Sequence, residues 1–166
     1  VVAGDETTRH LISGGLVALA EHPDQRARLA GDETLIPAAV EEMLRWVTPI
    51  VAMARTTTCP VDLGGVDVDE GSYLVMLYAA ANRDETVFGS DAGEFDAMRS
   101  PNPHLAFGIG EHFCLGAQLA RLEAKIVFAE LLRRWPHYRV LPGWETGAST
   151  LLRETVTLPI LLQPSG

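Results

Sequence analysis

The sequence has little with which to brace itself covalently. Two cysteines, Cys59 and Cys114, stand among 166 residues, too few for the disulfide framework of a small secreted domain. Positive charge is also scarce: 13 Lys and Arg against 22 Asp and Glu give a net charge of −9 and an isoelectric point near 4.9. Neutralising a run of phosphates takes a basic surface, so no nucleic acid is expected as partner. Long apolar runs are missing. The longest, Leu74 to Ala81, is far short of the ~20 residues that span a bilayer. Asp5, Glu6 and Arg9 break any signal-peptide pattern at the start. The expectation is a cytoplasmic protein without a membrane segment. Disorder is not expected either, because 47% hydrophobic and 21% charged residues leave enough apolar surface for a core. The length fits one domain. The opening Val1-Val2-Ala3-Gly4 lacks an initiator methionine and reads as part of a longer chain.

Leu11, Ile12, Leu16 and Leu19 recur at helical spacing and predict a first helix that runs to His22-Pro23. Gly14-Gly15 is its weak point, at ~1 kcal/mol per glycine relative to alanine. Pro23 opens a second helix over 24–30, stopped by Gly31. A third is expected over 37–47, with Thr34 as a nearby cap and Thr48-Pro49 as its stop. Residues 50–80 carry Thr, Val and Tyr between the turn signals Gly64-Gly65 and Glu70-Gly71, and read as two or three short strands. Residues 79–103 show little periodicity and read as an unusually long loop. A long helix is expected over 115–134, with Leu115, Leu119, Leu122, Ile126 and Ala129 as its apolar stripe, before Trp135-Pro136. The tail 138–162 reads as strands and a hairpin. The fold class is mainly α, of α+β type.

The run from Phe107 to Gly116 holds three glycines, which permit sharp turns and close approach of a flat ligand to the backbone. Cys114 stands at the start of the long helix, where the dipole and free N–H groups favour a thiolate, a good metal ligand. Taken singly, a lone cysteine reads more readily as a buried, inert side chain. Glu42 and Arg45 share one helical face, and in isolation they read as a solvated pair.

The surroundings add a resemblance. Phe107, Gly110, His112, Cys114 and Gly116 together resemble the haem-binding loop of the cytochrome P450 family, F-x-x-G-x-[HR]-x-C-x-G. The likeness continues through His104-Leu105-Ala106 on one side and Leu119-Ala120-Arg121 on the other. It implies haem b (iron protoporphyrin IX) as cofactor and Cys114 as the axial thiolate on its iron, a ligation that favours O–O cleavage. It implies that Phe107 packs near the sulfur, that His112 and Arg55 meet the haem propionates, and that Gly108, Gly116 and His104 lie along the haem. Glu42-Met43-Leu44-Arg45 resembles the family's E-x-x-R motif, with Arg99 as the third member of a buried structural network. Ala3-Gly4-Asp5-Glu6-Thr7-Thr8 resembles the oxygen-activation motif [AG]-G-x-[DE]-T, which implies Thr7 as hydrogen-bond partner of the oxygen being activated and Glu6 as proton relay. Ala3, Thr48, Ile50, Val51, Leu151 and Leu152 are placed by position in an apolar substrate pocket. Cys59 has no motif and reads as structural.

The implied fold is the C-terminal part of the cytochrome P450 fold: the second half of its central I helix, its J, K and L helices, small β-sheets and the cysteine-ligand loop. Residues 1–166 would all belong to it, with the N-terminal part absent. The implied reaction is insertion of one oxygen atom from O2 into a small apolar organic substrate, with two electrons from a ferredoxin and its ferredoxin reductase. The ferredoxin would dock near Cys114, with Arg121 and Lys125 contributing charge. Haem-thiolate peroxygenases and isomerases often lack Glu6 or Thr7, whereas this sequence has both. A truncated, inactive fragment is the remaining alternative. Zinc or disulfide chemistry at Cys59, Cys114 and the histidines lacks any ligand-pair spacing.

Overall fold

The structure is a computed structural model that describes residues 2–163, with side chains from residue 4 onward. Helix α1 (Val2–Glu21) is followed by α2 (Pro23–Gly31) and α3 (Ile36–Val47). Strand β1 (Met53–Thr56) leads into β2 (Val61–Asp62), β3 (Asp67–Val68) and β4 (Tyr73–Met76). Two single-turn helices, α4 (Tyr78–Ala81) and α5 (Glu85–Phe88), precede the long helix α6 (Ala117–Arg134). The chain ends in β5 (Arg139–Val140), β6 (Glu145–Thr146), β7 (Thr155–Thr157) and β8 (Ile160–Leu161). All described sheets are two-stranded and antiparallel: β1 with β4, β2 with β3, β5 with β8, and β6 with β7. The mainly α, α+β expectation holds.

Helix α1 runs unbroken through Gly14-Gly15. A Cβ on Gly14 would stand 2.6 Å from a methyl of Val47 in α3, and one on Gly15 would stand 2.7 Å from the Phe128 ring of α6 and 2.8 Å from Met43 Sδ. The propensity cost of the two glycines is offset by close contact among α1, α3 and α6, and any larger residue there would overpack the crossing. Leu11, Leu16, Leu19, Met43, Leu44 and Phe128 fill the core between these helices. Tyr138 closes it, its buried hydroxyl donating to Leu16 O at 2.7 Å. On the opposite side of α1, His10 is buried and its Nδ1 accepts the Thr155 N–H at 3.2 Å, which fastens β7 to the helix.

Four sequence expectations need correction. Thr34 does not cap α3, whose N-cap is Leu35 with no side-chain cap; Asp32 instead caps the short 3-10 turn Glu33–Leu35 that precedes it, its carboxylate accepting the N–H of Thr34 at 3.0 Å. Segment 79–103 is not a structureless loop: it contains α4, α5 and a chain of turns. The apolar stripe of α6 faces away from the core. Leu115, Leu119, Leu122 and Ile126 are exposed, while Ala117, Ala124, Phe128 and Leu132 are buried. Helix α6 is apolar on two faces, and the close crossing at Gly14-Gly15 selects the one built from small residues and a flat ring. Cys59 is exposed in the connection between β1 and β2 and packs into no core.

Candidate functional site

Two arginines organise the segment that leads into the cysteine loop. Glu42 and Arg45, both fully buried, form a two-pronged ion pair, with Arg45 Nε on Glu42 Oε2 and Nη2 on Oε1, each at 2.7 Å. The remaining Arg45 donors reach the carbonyls of Asn82 and Ala92 at 2.8 Å and of Glu94 at 2.7 Å. Arg99 approaches Glu42 Oε2 at 3.4 Å and donates to the carbonyls of Phe88 and Asp91. Glu42 also accepts the Asp96 N–H at 2.9 Å and the Asn102 amide at 3.0 Å. Backbone carbonyls without a strand or helix partner must be satisfied when buried, and two guanidinium groups, with five donors each, do this here.

The end of α3 is held in the same way. Thr48 takes a left-handed conformation (φ 43°), costly for a β-branched residue. Its hydroxyl donates to Arg45 O at 2.7 Å and accepts from Asn82 Nδ2 at 2.9 Å. Asn82 is fully buried and its Oδ1 accepts the Leu105 N–H at 2.7 Å. One amide side chain therefore joins the end of α3 to the approach of the cysteine loop. Beyond Thr48, the extended stretch 49–51 is clipped to the C-terminal turn: Val51 N–H donates to Leu151 O, Arg153 N–H donates to Pro49 O, and Ile50 bridges Leu152.

Between α1, the start of β1 and the cysteine loop lies a cavity of about 540 Å³. The structure brings Thr7, Ile50, Arg55, Phe107, Gly108, His112 and Cys114 to its lining. The loop turns back on itself, with Cys114 N–H on Phe107 O at 2.9 Å and Gly108 at φ 69°, where only glycine is unstrained. Cys114 is exposed, so its sulfur is accessible to a ligand.

Other expected site residues lie elsewhere. Glu6 sits one residue before Thr7 on α1, outside the lining. Thr48 is a fully buried cap, turned onto Arg45 and Asn82. Val51, Leu151 and Leu152 form the clip behind the wall, and Gly116 precedes α6. The side chain of Ala3 is outside the described residues. His104 is not in the lining: its Nε2 lies 3.1 Å from Glu41 Oε2, which also takes Arg121 Nη2 at 2.9 Å, while Arg121 Nε reaches Glu41 Oε1 at 2.8 Å. Arg121, expected as a docking cation, is thus occupied by Glu41 and only 20% exposed. The sequence alone did not mark Glu41, Asn82 or Tyr78, the last of which lines the cavity beside Gly108. Glu41 is hidden as the first of two adjacent glutamates, and Asn82 and Tyr78 have no local pattern that marks them. Among the described residues, no cluster of three or more His, Cys, Asp and Glu could hold a metal ion, and no helix is long and apolar enough to cross a membrane.

Burial pushes the Glu41 carboxyl up, but the hydrogen bonds and charges of His104 and Arg121 outweigh it and hold the group at about 2, against 4.5 unperturbed. A carboxyl that titrates lower when folded contributes stability above its unfolded value and loses it as the pH falls through the folded one. Stability should therefore decline between pH 4.5 and about 2, and Glu41→Gln should flatten that decline. Urea midpoints across this range measure it, and an unaltered slope in the variant would refute the assignment.

The family model for cytochrome P450 matches residues 1–142. Cytochrome P450 126 of Mycobacterium tuberculosis is 51% identical over 139 residues, which is 84% of this chain and 33% of the relative. Steroid C26-monooxygenase of Mycolicibacterium smegmatis is 46% identical over 140 residues, 84% of this chain and 35% of the relative. Among solved structures, P450BioI in complex with an acyl carrier protein bearing hexadec-9Z-enoic acid superposes with a TM-score of 0.94 at 41% identity, covering 98% of this chain and 42% of that one. The chain spans about a third of the length of the curated relatives it matches. Likeness of sequence and likeness of shape both extend far beyond the cysteine loop, and this chain belongs to the cytochrome P450 family, oxidoreductases whose cofactor is haem b.

Proposed function

We propose that residues 1–166 are the C-terminal, haem-binding part of a cytoplasmic monooxygenase that inserts one atom of O2 into a small apolar organic substrate, with two electrons from a ferredoxin and its reductase. The observation that carries this reading is the single cavity in which Thr7 of α1 and Cys114 share the lining. The residues present fit a flat, mostly apolar group with two carboxylates: Leu11, Leu44, Ile50 and Phe107 give apolar walls, Arg55 and His112 give partners for carboxylates, and Cys114 gives a sulfur donor. Haem b bound there would supply the redox-active iron at which O2 is activated.

The chain's own residues do the rest. Cys114 Sγ, as thiolate, would hold the group from the loop side. Arg55 and His112 would fix its orientation through the carboxylates. Pro49, Ile50 and Met53 would exclude water beside it and hold an apolar substrate. Thr7 Oγ1 would hold a proton for donation to oxygen, and the Glu6 carboxyl, one residue away on α1, would replenish it. Ferredoxin would dock on the Cys114 side, where Phe113 and Leu115 are exposed, with Lys125 as the cation left for it.

In the full-length protein, Thr7→Ala should leave substrate binding in place but cut the product formed per NADH consumed roughly tenfold or more. A steroid and a long-chain fatty acid are suitable probes, given the steroid C26-monooxygenase relative and the acyl-chain neighbour. Unchanged coupling would remove the monooxygenase reading in favour of peroxygenase or isomerase chemistry.

A further inference from the structure

Glu42 is accounted for by its pair with Arg45, but its neighbour Glu41 has a different set of contacts. The Glu41 carboxylate receives the Arg121 fork on both oxygens, at 2.8 and 2.9 Å, and the His104 imidazole at 3.1 Å. These three residues come from α3, α6 and the segment before the cysteine loop. The arrangement is partly shielded, with the His104 side chain 4% exposed, that of Arg121 20% and that of Glu41 30%, and a planar guanidinium held by both prongs has one orientation. That orientation lays the guanidinium carbon of Arg121 over the Phe107 ring, 4.6 Å from its centroid. Phe107 in turn lines the cavity, and its carbonyl accepts the N–H of Cys114 at 2.9 Å. A continuous set of contacts thus runs from a carboxylate on α3 to the backbone of the sulfur-bearing residue.

We propose that Glu41 is a positioning residue: by holding Arg121 flat against Phe107, it fixes the cysteine loop and hence the place of Cys114 Sγ. This rests on the haem-thiolate reading above. The carboxylate touches neither the cavity nor the sulfur and acts only through Arg121 and the ring. Without it only the attraction of the ring holds the guanidinium over Phe107, and the ring keeps fewer fixed neighbours, the side chains of His104 and Phe113. His104 ties the same carboxylate to the chain three residues before Phe107, and its Nδ1 accepts the Ala106 N–H at 3.2 Å, so the loop's entry and its ring are held from one point.

The test uses the full-length haem-loaded protein, reduced and saturated with carbon monoxide, and follows the rate at which the thiolate-ligated absorption band converts to that of a neutral-thiol or displaced ligand. Glu41→Gln and Arg121→Gln should each accelerate the conversion roughly tenfold, the scale on which supporting partners of metal ligands act. The double variant should be no faster than either single one, because both remove the same contact. Glu130→Gln is the control: it neutralises a carboxylate on α6, the helix of Arg121, and breaks its pairs with Arg133 and Arg134, yet should convert at the parent rate. If Glu41→Gln does not fold, Arg121→Lys keeps the charge without the fork and should show the same acceleration. A parent-like rate in the Glu41 and Arg121 variants, or equal acceleration in Glu130→Gln, would overturn the positioning role while leaving haem binding intact. Absence of the thiolate band in the parent would overturn the haem-thiolate reading and this inference together.

Discussion

Cys114→Ser should abolish the thiolate-ligated band of the reduced, carbon monoxide-bound protein completely. A thiolate is a good ligand for iron, whereas an alcohol stays protonated at any accessible pH and is a poor one. The substitution is small, and the loop does not depend on the sulfur for its shape. Its turn is closed by the backbone bond from Cys114 N–H to Phe107 O and by the conformation of Gly108, both of which serine keeps. Haem retained without the thiolate band is the expected outcome, readable by pyridine haemochrome content alongside the carbon monoxide spectrum. The other cysteine, Cys59, lies exposed between β1 and β2 and is not in the cavity lining, so Cys59→Ser should leave the spectrum untouched. A surviving thiolate band in Cys114→Ser would remove the cysteine from its assigned role.

The largest expected loss of stability is in Glu42→Gln. The carboxylate is fully buried, paired with a fully buried Arg45 at 2.7 Å and approached by Arg99. The glutamine matches it in size but not in charge, and leaves two guanidinium groups in the interior. The exposed Asp91, 3.2 Å from Arg99, compensates one of them in part. Breaking such a pair from one side costs ~3–5 kcal/mol, a large share of the ~5–15 kcal/mol by which domains are stable. Urea unfolding should show it as a shifted midpoint with little change in slope. A loss below ~1 kcal/mol would mean that the network is far more hydrated than its geometry indicates. Replacing the whole ion pair with apolar residues, often tolerated elsewhere, is not expected to help, because Arg45 also holds three backbone carbonyls.

Much of this could be read from residue spacing, and the failures share a cause. The cysteine loop and the E-x-x-R pair are short-range patterns in which residue type and interval carry the information. The helix boundaries are equally local, set by Pro23, Gly31 and Pro49. What escaped depends on contacts across the fold. Helix α6 has two apolar faces, and nothing in its own sequence says that Ala124 and Phe128 rather than Leu119 and Ile126 meet the core. That choice is made by Gly14-Gly15, more than a hundred residues away. Thr48 looks like pocket lining until Asn82, 34 residues later, takes its hydroxyl. His104 looks like a ligand-edge residue until Glu41 claims its ring. Segment 79–103 has no periodicity because its order comes from side chains of other elements rather than from its own repeat.

Arg45 and Arg99 bind the segment before the cysteine loop almost entirely through its carbonyl oxygens. A carbonyl is the same group in every residue. The exposed positions of the segment can therefore change side chain and still follow the same path, while the burden of preserving that path falls on Glu42, Arg45, Arg99 and Asn82. Tolerance to substitution should follow from both hydrogen-bond direction and depth: an exposed position gripped only through its carbonyl, such as Glu94, is free to vary, whereas Asn82, Phe88 and Ala92, gripped and buried, are not.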